Sequence, residues 1–220
     1  MLTAAPRRGG RPSREQAAQL QETILDAATA LFLTEGFGAT SIEAVAERAR
    51  ISKRTFYHRF DGKAKLFEAV VHRLIERWRP SVEARLQETA SLDEILRRTA
   101  RQILAIALLP EALALHRIVI AESQRFPALA RVMNESGTRS GVDYISALLD
   151  REAKAGHLGP IDTRFAAEQF LAMVLTVPRR RAMGFDEKMT SESLDAWARQ
   201  TVDLFLRGCF SPYSGPDRNS

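Results

Sequence analysis

The sequence predicts an all-α protein in which a three-helix helix-turn-helix head precedes a larger helical domain, with about nine helices in all. Three observations support this fold class. Apolar residues recur at three- and four-residue steps along most of the chain. Capping residues, prolines and glycines interrupt those steps where helices should begin or end. No stretch shows the two-residue alternation that is typical of a half-buried strand.

Composition divides the chain into four predicted parts. Residues 1–13 are basic and almost free of apolar side chains, so we expect a flexible arm. Residues 14–62 hold the three-helix head, and residues 63–210 hold the larger helical domain. Residues 211–220 contain two prolines and a glycine and are expected to form a disordered tail.

The head is predicted from one amphipathic stretch and two caps. Residues 14–35 place their apolar side chains on one helical face, and Gly36 should end that helix. The sequence Thr-Ser-Ile-Glu at 40–43 resembles a capping box with Thr40 as N-cap, which would open the second helix. Ser52 is placed to cap a short third helix.

The helices of the larger domain are predicted from similar punctuation. The fourth helix should run from about Lys63 to Pro80, and a capping box at residues 91–94 should open the fifth. Gly137 and Gly141 leave the middle of the domain open. Pro110 and Pro127 should start two helices, and Gly156 should follow the end of another. The last two helices are predicted near residues 162–177 and 191–207. A polar loop with Arg179, Arg180 and Arg181 should separate them.

Charge and cysteine content narrow the class of protein. Residues 1–65 contain eleven Lys or Arg against seven Asp or Glu, whereas the remainder is nearly balanced. Such a basic end favours a polyanion such as DNA, or less readily an anionic membrane surface. Cys209 is the only cysteine, which excludes an intrachain disulfide and a Cys-rich zinc module. The sequence shows no signal peptide and no apolar run of about 18 residues, so we expect a soluble, cytoplasmic protein without a membrane partner.

The third helix carries the residues that indicate function. Between Arg48 and Lys65 there are seven basic residues and one acid. Phe56 and Phe60 lie one turn apart and should point into the core. The side chains left facing outward are Lys53, Arg54, Tyr57 and His58, which could enter a major groove.

Residues 36–67, GFGATSIEAVAERARISKRTFYHRFDGKAKLF, resemble the DNA-binding segment of the TetR/AcrR family of regulators. With the preceding helix the resemblance covers roughly residues 14–70. It implies a homodimer that binds double-stranded DNA at a two-fold symmetric operator. It also implies the contacts of individual residues: Lys53, Arg54, Thr55, Tyr57 and His58 face the groove, Lys63 contacts phosphate, and Thr40 contacts phosphate through its helix N-terminus.

Two residues depart from the family pattern. Arg50 stands in the turn where the family commonly has Gly, so we expect a strained or slightly altered turn, with the Arg side chain available to phosphate. Gly62 replaces the usual Ser-type cap before Lys63, which leaves Asp61 as the alternative cap.

The C-terminal half resembles the AefR-like regulatory domains of the same family through residues 115–127. Its last two helices carry more apolar surface than one domain needs, which predicts a four-helix interface with a second copy. In the alternative interpretation these helices only close the core of one chain. The predicted interface residues are Phe165, Ala166, Phe170, Val174, Leu194, Trp197, Val202 and Phe205.

The sequence predicts a small-molecule effector but neither a cofactor, a metal nor a catalytic set. His72 and Glu76 lie four residues apart without a third ligand, and the other histidines and Cys209 lack the spacing of a nucleophile and its base. The effector should enter among helices four to eight. The predicted pocket residues are Trp78, His116, Ile120, Met133 and Met173.

Together these patterns predict a sequence-specific DNA-binding transcriptional regulator, and specifically a repressor that a small apolar or amphipathic ligand releases. Two alternatives stay open. The first is an architectural DNA-binding protein without an inducer. The second is a small-molecule-binding protein or an enzyme whose basic head is incidental.

Overall fold

A computed structural model describes residues 14–78 and 90–210 of the chain, which form ten α-helices and, within these two ranges, no strand. The predicted all-α fold is therefore confirmed. The predicted arm, the predicted tail and the end of the fourth helix near Pro80 lie outside the described residues. The chain divides into two compact units between Val70 and Val71, within the fourth helix.

Three short connections join the helices of the first unit. Gly36, with a φ of +85°, breaks the regular geometry of the first helix near its end, as predicted. Ser52 caps the third helix through its side chain, also as predicted. The helices are α1 (Arg14–Ala39), α2 (Ile42–Arg48), α3 (Lys53–Tyr57) and the start of α4 (Lys63–Trp78).

Three phenylalanine rings form the centre of the first unit. Phe32 and Phe37 stack with their ring centroids 5.7 Å apart, and Phe67 meets each of them edge-on at 5.2 Å. All three side chains are at most 1% exposed. Edge-to-face pairs of this kind contribute roughly 0.5–1.5 kcal/mol beyond the area they bury. They tie α4 to both sides of the break at Gly36.

The N-cap of α2 differs from the prediction. Ser41, not Thr40, is the cap, because the Ser41 hydroxyl accepts from the backbone N–H of Ala44 at 3.0 Å. The Thr40 hydroxyl instead donates to the Gly36 carbonyl at 2.8 Å and is buried. The same carbonyl accepts the backbone N–H of Thr40 at 3.3 Å, so Thr40 closes the last turn of α1 and does not open α2. With the cap moved by one residue, Glu43 no longer stands at the third helical position, so the predicted capping box is absent.

The second unit contains the rest of the described chain. The capping box of Ser91 and Glu94 is confirmed, as are the helix starts at Pro110 and Pro127 and the left-handed Gly156 after a helix end. The region around Gly137 and Gly141, for which the sequence predicted no boundaries, contains a π-helical turn at Asn134–Thr138. The helices are α5 (Leu92–Ala107), α6 (Pro110–Glu122), α7 (Pro127–Met133), α8 (Arg139–Lys154), α9 (Thr163–Arg180) and α10 (Ser191–Phe210).

Most residues predicted for a dimer interface lie inside a single chain. Five of them are at most 6% exposed and belong to the core that α5, α8, α9 and α10 share: Ala166, Phe170, Val174, Val202 and Phe205. Phe170, Val174 and Val202 have no exposed surface, so the prediction that they face a second copy is wrong. Ala166 and Phe205 keep 5% and 6%, and their place in an interface stays a prediction. Phe165 is 59% exposed, whereas Leu194 and Trp197 are half-buried against the core.

The predicted polar loop after residue 177 is also wrong, because α9 continues through the buried Pro178 to Arg180 and is followed by a π-helical turn at Arg181–Phe185. Proline usually breaks a helix because it lacks an N–H and leaves the carbonyl four residues earlier unpaired. Here that carbonyl belongs to Val174, and the indole N–H of Trp197 donates to it at 3.1 Å. The side-chain donor from α10 therefore replaces the missing backbone donor.

Within the described ranges, no single helix is long and apolar enough to cross a membrane. The pair α5 and α6 meets the requirements of length and composition only when taken together, and the two helices are bent by 73° relative to each other.

Candidate nucleic-acid interface

Helix α3 is fixed in place by its cap and its two phenylalanines. The Ser52 hydroxyl accepts from the backbone N–H of Thr55 at 3.1 Å and satisfies one of the amides that a helix start leaves unpaired. Phe56 is fully buried and Phe60 is 8% exposed, as predicted. The rings lie 5.7 Å apart on the inner side of the helix, so the orientation of the remaining α3 side chains is determined.

The opposite side of α3 presents the residues that the sequence predicted to face outward. Lys53, Arg54 and His58 are exposed, Tyr57 is 56% exposed and Thr55 is half-buried. Two cations and a phenol of this five-residue helix and the imidazole of its C-cap residue, His58, are thus exposed close together. This composition can donate hydrogen bonds both to phosphate oxygens and to the acceptors of guanine in a major groove.

Lys53 forms an ion pair with Glu43 of α2 that the sequence analysis missed. The ammonium nitrogen lies 2.5 Å from a carboxylate oxygen, and both side chains are 58% exposed. The hydrogen bond and charge of Glu43 raise the pKa of Lys53, and the same partner lowers the pKa of Glu43. One of the cations predicted to face a groove is therefore already paired with an acid of the same chain.

Lys63, predicted as a phosphate contact, makes three hydrogen bonds to the protein backbone. Its ammonium donates to the carbonyl oxygens of Phe37, Gly38 and Thr40 at 2.7, 3.1 and 2.9 Å, and lies 4.6 Å from the centre of the Phe37 ring. An ammonium has three N–H donors, and three carbonyls receive them here. Lys63 therefore holds the segment between α1 and α2 against the start of α4. Contact between Lys63 and phosphate stays a prediction.

The turn between α2 and α3 contains the strain expected from Arg50. This residue has a φ of +55° and is the one non-glycine in the described ranges with a positive φ. Its backbone N–H donates to the Glu47 carbonyl at 3.0 Å, and the next N–H donates to the Ala46 carbonyl at 2.9 Å. The Arg50 side chain is exposed. The turn thus forms its hydrogen bonds with one residue in the left-handed region. The side chain of that residue adds a cation to the surface.

The residues predicted to line an effector pocket differ in their solvent exposure. Ile120 is 59% exposed, whereas Trp78, His116, Met133 and Met173 are half-buried. A polar cleft of about 290 Å³ in the second unit is lined by other residues, among them Arg131, Arg139, Arg164 and Glu168. None of the five predicted pocket residues lies on it. Their role in ligand binding therefore stays a prediction.

No group of three or more His, Cys, Asp or Glu side chains could hold a metal ion in residues 14–78 and 90–210. His116 is half-buried on α6, and its pKa is lowered to about 4 by burial and by the positive charge of Arg179. Burial also lowers the pKa of the Arg179 guanidinium. The neutral imidazole of His116 can both donate and accept a hydrogen bond at neutral pH.

Two family descriptions match the chain in consecutive stretches. Bacterial regulatory proteins of the tetR family match residues 24–70, which include the cap, the turn and the outward face of α3. The C-terminal domain of AefR-like transcriptional repressors matches residues 94–208, more than half of the chain. The chain belongs to the TetR family. As a TetR-family protein it is a DNA-binding transcriptional regulator.

Relatives and solved structures agree with this assignment. RutR from Escherichia coli O157:H7, an HTH-type transcriptional regulator, is 28% identical over 162 residues, which are 74% of each chain. A TetR-family regulator from Mesorhizobium loti MAFF303099 has a TM-score of 0.77 and 29% identity, and covers 91% of this chain and 100% of its own. The flavonoid-responsive regulator FrrA has a TM-score of 0.76 and 32% identity, and covers 90% of this chain and 100% of its own.

Proposed function

We propose that this TetR-family regulator is a repressor which binds a two-fold symmetric DNA operator as a homodimer and is released by a small apolar or amphipathic effector. The observation that carries the proposal is the outward face of α3, whose polar side chains are exposed because Phe56 and Phe60 occupy the inner face. The residues proposed to face the groove are Lys53, Arg54, Thr55, Tyr57 and His58.

The groove-facing residues have distinct proposed roles. Arg54 donates two hydrogen bonds to one guanine edge and thereby reads sequence. Tyr57 and the helix starts at Ser41 and Ser52 donate to phosphates and fix the register of the helix on the duplex. Ser41 takes the phosphate-contacting place predicted for Thr40, since the Thr40 hydroxyl is buried and bonded to Gly36.

A homodimer supplies the second recognition helix. We propose that its interface uses the surface of α9 and α10 that one chain leaves exposed. Contacts between Phe170 and Phe205 and between Val174 and Trp197 make the two helices antiparallel, because the residue numbers rise on one helix as they fall on the other. Phe165 and Leu204, 59% and 65% exposed, therefore lie towards the same end of the pair. In the proposed complex the two α3 helices occupy successive major grooves of the operator, about 34 Å apart.

Repression follows when the bound dimer occludes a promoter in the cytoplasm. An effector releases the DNA only by binding a dimer with wrongly spaced α3 helices more tightly than the DNA-bound form. Two descriptions of similar proteins support this mechanism: the matched C-terminal domain is that of AefR-like repressors, and FrrA responds to flavonoids, which are amphipathic ring compounds.

A gel-shift competition with the DNA upstream of the protein's own gene tests the proposal. We expect a retarded band that survives an excess of random duplex. Arg54→Ala should bring specific and random duplex closer in affinity by about 1–3 kcal/mol, because the base contact is lost. Arg101→Ala, at an exposed position of α5, is the matched control and should change neither. Equal competition by random duplex against the wild-type protein would contradict the proposed sequence-specific repressor.

A further inference from the structure

Arg179 is a shielded cation that has no counter-charge among the described residues. It lies in the last turn of α9, its Nε atom is buried, and this atom has no hydrogen-bond partner in the described chain. No carboxylate of residues 14–78 or 90–210 forms an ion pair with it. Removing a cation from water without such compensation is costly, so an unpaired, shielded guanidinium is an unusual feature for a folded protein to keep.

Two other arginines of the same unit have carboxylate neighbours that balance their positive charge. Arg97 is 26% exposed and pairs with both Asp93 and Asp203. Arg181, whose Nε is also buried, lies 3.5 Å from a carboxylate oxygen of Asp186. Arg179 stands two residues from Arg181 and lacks such a neighbour. Of the two arginines in the described ranges whose buried Nε has no hydrogen-bond partner, Arg179 is therefore the one that also lacks an ion pair.

His116 adds a second polar group in apolar surroundings. Of the residues one turn away on α6, Ala112, Leu113 and Val119 are buried and Ile120 is 59% exposed. The charge of Arg179 reaches the His116 ring strongly enough to contribute to the lowering of its pKa. Arg179 and His116 thus offer a cation and a neutral hydrogen-bonding ring beside an apolar helix face. Ligand sites are typically apolar with a few such polar groups.

We propose that Arg179 and His116 form the head of the effector site and bind the carboxylate of an amphipathic monocarboxylic acid, whose apolar body lies against α6. The guanidinium provides a fork that matches a carboxylate with two parallel hydrogen bonds. His116 donates a further hydrogen bond from its neutral ring. The regulatory consequence, release of DNA, rests on the proposed repressor function, whereas carboxylate binding does not.

Matched pairs of probes test the chemistry directly. Octanoate and cinnamate are compared with octanamide and cinnamamide, which keep the shape of each acid and remove the charge. Thermal unfolding of the full-length protein is followed at neutral pH without DNA. We expect the acids to raise the Tm at millimolar concentration and the amides to have little effect. Arg179→Met should weaken binding of the acids by about 10- to 100-fold, since a bidentate charged contact is lost.

Arg180→Met is the matched control, because Arg180 is the next residue and is exposed. It removes the same charge and should leave binding of the acids unchanged. Arg179→Lys keeps the charge without the fork and should bind the acids with intermediate affinity. The unliganded Arg179→Met protein should have an unchanged or higher Tm, because the replaced cation has no partner to lose.

Several results would overturn the inference. These are equal shifts by acids and amides, no shift by either acid, equal weakening by Arg179→Met and Arg180→Met, or a lowered Tm of unliganded Arg179→Met. The last result would assign the partner of Arg179 to this chain or to a second copy. A gel shift in the absence of the acids and amides separates this inference from the proposed function. If the acids alone stabilise a protein that does not bind its upstream DNA, the carboxylate site is supported and the proposed repressor function is refuted.

Discussion

The indole N–H of Trp197 donates to the carbonyl oxygen of Val174, the acceptor that Pro178 deprives of its usual backbone partner. One hydrogen bond therefore does two things: it lets α9 continue through a proline, and it fixes α10 against α9. The three arginines that follow Val177 consequently lie on ordered helical turns rather than in a loop. The proposed acid site at Arg179 depends on this continuation.

Trp197→Phe should lower the free energy of unfolding by about 1–3 kcal/mol, because the Val174 carbonyl loses its donor. Urea unfolding followed by circular dichroism measures the loss. In a Pro178→Ala background, residue 178 regains an N–H that can donate to the same carbonyl. Trp197→Phe should therefore cost about 1 kcal/mol less in that background. An identical cost in both backgrounds would show that the indole contributes only by packing.

Lys63→Met should destabilise the first unit by about 2–3 kcal/mol, since it leaves the carbonyls of Phe37, Gly38 and Thr40 without a charged donor. We expect the salt dependence of DNA binding to stay unchanged, because three backbone carbonyls already receive the N–H donors of the ammonium. Lys65→Met is the control: Lys65 pairs with Glu68 at the surface, and its loss should leave the Tm unaltered. If the Lys63→Met protein is stable and its DNA affinity depends less steeply on salt concentration, the predicted contact between Lys63 and phosphate is supported.

Local patterns were sufficient for much of the fold and for the orientation of α3. The four-residue spacing of Phe56 and Phe60 placed both on one side of a helix, and geometry then determined which residues face outward. The capping box at Ser91 also lies within a single turn. Such features depend on neighbours a few residues away, and a sequence contains them directly.

Features that depend on residues far apart in sequence could not be predicted from local patterns. The three carbonyls bound by Lys63 precede it by 23 or more residues. The apolar faces of α9 and α10 indicated burial, but periodicity does not identify the covering surface. Phe170 and Val202 were therefore predicted to meet a second copy, although they are covered by their own chain. The cap of α2 moved by one residue because a hydroxyl at position 40 found the Gly36 carbonyl.

The backbone at Arg50 can be tested separately from its charge. Arg50→Gly and Arg50→Val both remove the cation, but valine is β-branched and tolerates a φ of +55° poorly. We expect Arg50→Val to be less stable than Arg50→Gly by about 1–3 kcal/mol in thermal unfolding. Both variants should lose similar affinity for random duplex. Equal stability of the two variants would mean that the turn relaxes out of the left-handed region.

Glu43→Gln should strengthen DNA binding and steepen its salt dependence, because Lys53 no longer has to exchange a carboxylate for the duplex and one repelling charge is removed. The slope of log K against log salt should increase by up to about one unit. Glu47→Gln changes the net charge equally at an exposed position of the same helix and controls for long-range attraction. Identical slopes for the two variants would refute competition between Glu43 and DNA for Lys53.

The stability of the second unit should fall as the pH is lowered from about 6.5 towards 4, because of His116. Its pKa in the folded chain is lowered to about 4 by burial and by Arg179, whereas the unfolded chain keeps a value near 6.5. Between these values the unfolded state binds the proton first, so acid favours unfolding, while above about 6.5 both states are neutral. The loss should reach about 1–3 kcal/mol at pH 4, reduced from the full shift because the ring is partly exposed.

His116→Gln removes this titration, so the difference in unfolding free energy between wild type and variant isolates it from the carboxylates that titrate at lower pH. We expect the His116 difference to shrink as the pH falls through this window. A His116 difference that is flat with pH would mean that the imidazole is free to take up a proton, and that the charge of Arg179 is neutralised before any acid binds.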